Sequence, residues 1–269
     1  MSALRAELLK AVTTRLLLWF GLGLLAFLLL VLSIHIGSED PGVLGELSRQ
    51  RSTFAFGGIA AIVAVLIGAI LVTAEYAHGT INQSFLAVPV RLRLLVAKLG
   101  GALLVVFVLA VLADAATLVI SELWYSGRGL SLHLGRDTLA PFLGVVGASL
   151  LAAGIGVGIG ALFRRQTGAI VAILLWLLIG EGVISAAGDA ARFAPGHALA
   201  AVVAAHSHGS ADMLAVWPAA IVGVLYVAVF CGAGFLLEPL DFARIGAQFR
   251  SEQLQRDESI QPSIARLVN

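Results

Sequence analysis

The stretch Ala74–Gly101, AEYAHGTINQSFLAVPVRLRLLVAKLGG, joins two long apolar runs, and its reading decides how the rest of the chain is understood. A turn between two membrane helices needs only a few residues. This one carries Glu75, Tyr76, His78, Thr80, Asn82, Gln83, Pro89, Arg91, Arg93 and Lys98, a polar surface fit to be recognised. Ile81, Phe85, Leu86 and Val88 interleave with Asn82, Gln83 and Ser84, which predicts a short, partly apolar helix that is too short to cross a bilayer. Pro89 ends it, because proline lacks the N–H and disfavours helix in the residue before it. Arg91, Arg93 and Lys98 then stand at the entry of the next apolar run, suited to anionic headgroups or to a protein partner.

The chain around this segment has the composition of a membrane protein. Of its 269 residues 59% are hydrophobic and only 12% charged, and the mean hydropathy is +0.99, far from a soluble domain. Six runs, near 16–36, 53–74, 99–121, 138–163, 168–187 and 213–237, are long enough to cross a hydrocarbon core of ~30 Å as helices. They lack the alternation of barrel strands, so the expected fold is all-α, a polytopic membrane protein with six transmembrane helices in one domain over 16–237. The first run is too long for the apolar part of a signal peptide and has no small-residue cleavage site after it, so a retained helix is expected.

Basic residues orient the bundle. With the N-terminus inside, twelve of the 17 Lys and Arg residues fall in the cytoplasm, both lysines among them, and Arg49, Arg51, Arg128, Arg136 and Arg192 fall outside. That satisfies the positive-inside rule and places both termini in the cytoplasm. Residues 1–15 repeat Leu4, Leu8 and Val12 on one face, as a helix lying in the headgroup plane does, or as an extension of the first span would. The outer loop 188–212 contains Ala198 to Ala205, which reads as a short re-entrant or surface helix or as a loosely packed loop. Residues 238–269 form a polar cytoplasmic tail. The net charge of +1, without a dense basic tract, gives no nucleic-acid surface, and Cys231 alone supports neither a disulfide nor a cysteine-ligated metal site within the chain.

Few residues in the spans carry chemistry. The fourth span holds Gly154, Gly156, Gly158 and Gly160, in pairs four apart that let other helices approach closely in lipid. No GxxxxGK[ST] loop occurs, so the chain is not itself a P-loop ATPase. His206 and His208 are a weak metal pair, and a protease site has too few partners within the spans. Two acids lie within spans, Asp114 and Glu181, at similar distances from the cytoplasmic entry. A carboxylate at mid-membrane costs roughly 2.5–3.5 kcal/mol, so both are candidates for a translocation path, or else they are hydrated or capping groups near the outer interface.

The opening segment resembles the cytoplasmic loop of permease subunits of ABC-2 type exporters, in which E-Y-x-x-G-T, P-x-R and K-L recur in order between the second and third spans. Here those positions are Glu75, Tyr76, Gly79, Thr80, Pro89, Arg91 and Lys98. The resemblance extends to about Leu237 through the six spans, the amphipathic N-terminus and the apolar stretch before the last span. It implies the ABC-2 exporter fold and a coupling helix docked in a cleft of a separate ATP-binding cassette subunit, with Thr80, Asn82, Gln83 and Phe85 in contact and Glu75 and Arg91 pairing or capping the loop. It also implies a non-catalytic subunit that binds no cofactor of its own, with ATP and Mg on the partner. The assembly would hold two ATPase copies and a second permease chain, identical or not, in a prokaryotic plasma membrane, since a fused transporter is about twice as long.

The apolar spans favour a hydrophobic or amphipathic cargo, such as a drug, peptide antibiotic or lipid, over a sugar chain, which suits aromatic-lined paths. Two other functions compete with export. One is an ATP-independent secondary transporter with Asp114 and Glu181 as ion or proton sites. The other is a membrane scaffold whose loop binds a different cytosolic protein or, as an interfacial helix, lipid.

Overall fold

In a computed structural model, residues 15–77, 91–186, 188–205 and 213–236 are described. The N-terminal residues 1–14, the segment 78–90, His206 to His208 and the tail from 237 lie outside the described residues. Six helices are long and apolar enough to cross a membrane: α1 (Leu17–Ser38), α2 (Leu47–Ala77), α3 (Leu94–Gly127), α4 (Arg136–Phe163), α5 (Gln166–Ser185) and α7 (Val216–Leu236). The shorter apolar helix α6 (Pro195–Ala204) lies between the last two. This is a helical, multi-pass membrane protein, and no strand occurs among the described residues.

Helix directions follow from the contacts. Gly57, Gly68 and Gly160 bring α2 and α4 together at Gly57 with Val145, Gly68 with Ala153, and Gly160 with Ala69, so the two helices run parallel. Gly154 against Val227 and Gly158 against Phe230 set α7 parallel to α4. Trp124 donates to Ser33 Oγ at 3.1 Å and Gly21 faces Leu109, which makes α1 parallel to α3. Gly57 beside Asp114 and Glu75 beside Lys98 make α2 and α3 antiparallel. Successive spans therefore alternate, leaving one bundle end at Lys98 and the other at Arg51.

The glycines of α4 divide between two neighbours. A Cβ on Gly156 would strike the Val65 backbone oxygen, and one on Gly160 would sit 2.7 Å from the Ala69 oxygen, both on α2. On the other face, a Cβ on Gly158 would lie 2.5 Å from Phe230 Cβ and 2.7 Å from the Cys231 nitrogen of α7. Bare backbone is what allows three helices to touch, and dispersion contacts at that spacing hold helices together where lipid removes the hydrophobic driving force. Accordingly α4 is the centre, with 61% of its most apolar window buried against 11% for α5. The outer helix α1 shows the complementary pattern, with Leu24, Leu28, Leu32 and Ile36 buried at intervals of four while Leu18, Trp19 and Leu22 stay exposed.

Two boundaries differ from the sequence expectation. Helix α2 starts at Leu47 rather than near 53, and helical geometry reaches from Arg91 to Gly127 at α3 rather than 99–121. Hydropathy marks only the lipid-embedded part of a helix. At the Arg51 end polar residues continue the helix because they have partners: buried Gln50 donates to Ser131 O at 3.2 Å and accepts from His133 N at 2.8 Å. Near it the Arg128 guanidinium donates to Gly37 O at 2.6 Å and Glu39 O at 2.7 Å, satisfying carbonyls at the end of α1.

Candidate functional site

At the Lys98 end, Glu75 on the last turn of α2 and Lys98 on the first turns of α3 form an ion pair of 2.7 Å with both side chains buried. Tyr76 packs beside it against Val72, Ala102, Val157 and Cys231. This pair closes the root of the segment 78–90, which carries Gly79, Thr80, Asn82, Gln83, Phe85 and Pro89 outside the described residues, as does the side chain of Arg91. Breaking a buried ion pair from one side costs about 3–5 kcal/mol.

Asp114 is buried on α3, and its Oδ1 has no hydrogen-bond partner among the described residues. It faces Gly57, where a Cβ would come within 3.0 Å of that oxygen. Gly57 belongs to a 3₁₀ turn, Phe56–Ile59, that interrupts α2, and such mid-helix irregularities mark hinges and functional positions.

Glu181 sits at a second irregularity, just after the π-helical turn Trp176–Gly180 in α5. One carboxylate oxygen accepts from Trp176 Nε1 and from the Gly196 N–H, each at 2.7 Å, and the other lies 2.9 Å from His197 Nδ1. Ser185 Oγ is 3.4 Å from His197 Nε2. The order serine, imidazole, carboxylate is that of a nucleophile relay, but the Ser185 hydroxyl donates to the Glu181 backbone oxygen at 2.7 Å and is spent there. The cluster works as a latch, fixing the N-terminal turn of α6 to α5. The other end of α6 is held by Arg51, which donates to Ala204 O at 2.6 Å and Ala205 O at 3.0 Å, as well as to Asp137 O. Ala205 is in the left-handed conformation, φ 51°, that ends the helix.

Asp114 and Glu181 make no contact with each other, so the structure gives them separate surroundings rather than one site. Between α2, α4, α5, α6 and α7 lies a cavity of about 590 Å³, lined by Ile62, Ile155, Trp176, Leu199, Tyr226 and other largely apolar side chains. Neither acid lines it. The latch and the cavity were not legible in the sequence, because Glu181 and His197 are separated by a helix break and a lone histidine after a proline carries no signal of its own.

Six helices long and apolar enough to cross a bilayer define a multi-pass membrane protein. No protein-family model and no curated protein sequence matches the chain.

Proposed function

We propose that the chain is the membrane-spanning permease subunit of an ATP-driven exporter of the ABC-2 type, working with a separate ATP-binding cassette subunit. The observation that supports this most is the buried Glu75–Lys98 pair at the root of the loop, because it joins the Glu-Tyr and Lys-Leu elements of the motif across the segment that would dock. In this reading Thr80, Asn82, Gln83 and Phe85 contact the ATPase, and the clamp passes its movement to α2 and α3. The 3₁₀ turn in α2 and the π turn in α5 are the places where those helices bend. A second permease chain, identical or not, and two ATPases complete the exporter, in a prokaryotic plasma membrane with the loop and both termini in the cytoplasm. The cargo is hydrophobic or amphipathic.

The test is affinity purification of the tagged chain from its native membrane, with identification of a co-purifying protein that carries Walker motifs. Retention by wild type and loss in Phe85→Ala supports the assignment; absence of any such protein opposes it. A second reading rests on Asp114 Oδ1, which is buried without a hydrogen-bond partner among the described residues: a secondary transporter that binds a proton or cation there. Transport that persists without ATP and stops in Asp114→Asn favours that reading.

A further inference from the structure

We infer that the cavity between α2, α4, α5, α6 and α7 is a binding site for one acyl chain of a bilayer lipid, walled at the Arg51 end by α6. The site stands independently of the ATP-driven reading. Its volume, about 590 Å³, lies within the ~300–1,000 Å³ of small-molecule pockets. The lining is almost wholly apolar, and a cavity of that kind takes apolar guests. Along α2 it runs from Ala55 to Val65, a length of roughly 15 Å at helical rise. Ile62 and Trp176, which line it, are 46% and 38% exposed, so the cavity communicates with the lipid-facing surface.

One other occupant fits poorly. The segment at 206–212, HSHGSAD, carries two histidines, two serines and an aspartate, for which an apolar lining offers no hydrogen-bond partners. An acyl chain has the width, the length and the chemistry. At the rim, Trp176 and Gly196 both line the cavity and both donate to Glu181, so a polar head would meet the latch while the chain lies inside.

The test uses the full chain in phospholipid nanodiscs with two photoreactive probes, a diazirine palmitate and a phosphatidylcholine bearing the same acyl chain, and maps labelled residues by mass spectrometry. Labelling at Ile62, Ile155 and Leu199 is expected to exceed that at Leu143 and Leu178, which are 81% and 78% exposed on the outer surface, and to saturate with probe while theirs stays linear. Ala200→Trp, at an exposed position on the cavity wall, should cut cavity labelling roughly tenfold without changing Leu143. Ile155→Phe repeats the test from α4. Saturable labelling by the phospholipid supports the site, and saturable labelling by palmitate alone overturns the bilayer lipid as its occupant. Equal, non-saturating labelling at cavity and surface positions, or cavity labelling unchanged in the folded Ala200→Trp protein, overturns it.

Discussion

Lys98 Nζ lies 2.7 Å from Glu75 Oε2, and the two buried side chains tie the end of α2 to the beginning of α3. Removing either partner breaks an ion pair between two buried side chains. Glu75→Ala and Lys98→Ala should each lower unfolding free energy by about 3–5 kcal/mol. The exchanged pair Glu75→Lys with Lys98→Glu should recover part of that loss. Thermal unfolding of the purified protein in one detergent checks this, and a double variant no better than the singles would show that the pair does not act as a pair.

The α4 glycines differ in what a methyl group would meet. Gly156→Ala and Gly158→Ala drive a Cβ into the backbone of α2 and α7 respectively, and overpacking of this kind costs roughly 1–3 kcal/mol. Gly23→Ala, with nothing within 4 Å of the new Cβ, should leave stability unchanged. The same unfolding assay ranks all three, and equal effects would contradict the packing described here.

Helix α6 is held at both ends by side chains from other helices. Glu181→Ala removes the acceptor for Trp176, Gly196 and His197, whereas Arg51→Ala frees the carbonyls of Ala204 and Ala205. Either change should speed amide hydrogen exchange across 195–204 about fivefold, the equivalent of ~1 kcal/mol. Arg51→Lys should rescue little, since one ammonium does not reach three carbonyls as a planar guanidinium does.

Much of the fold was legible because lipid imposes simple rules. Long apolar runs became helices, and Gly156, Gly158 and Gly160 stand against the backbone of neighbouring helices. What the sequence hid were interactions across the fold. Gln50 and Arg51 read as loop residues because they are polar, yet they continue α2 since Ser131, His133, Ala204 and Ala205 satisfy them. The short helix expected at Ala198 to Ala205 begins earlier, at Pro195, where a missing N–H costs nothing in the first turn. Asp114 and Glu181 looked like a matched pair in depth, but one faces Gly57 and the other is consumed by the latch. Depth along a helix says nothing of which face a residue takes in the assembled bundle.

Asp114 offers the sharpest contrast between a structural and a transport role. Its buried Oδ1 lacks a partner among the described residues, so replacing the carboxylate by the neutral amide of Asp114→Asn should not lower the melting temperature, because no ion pair is lost. A large destabilisation would reveal a partner that holds the carboxylate. Loss of transport with stability intact would place Asp114 on the path.

The central claim is that a separate ATPase drives this bundle through the loop at 78–90. The most direct measurement is ATP hydrolysis in nanodiscs that hold the chain together with the Walker-motif protein recovered in the purification proposed above, comparing wild type with Phe85→Ala and Lys98→Ala. Hydrolysis that responds to a hydrophobic cargo in the wild type, and loses that response in both variants while the ATPase remains active alone, is the predicted result. A complex that fails to form, or hydrolysis whose cargo response is the same in all three proteins, would contradict the account.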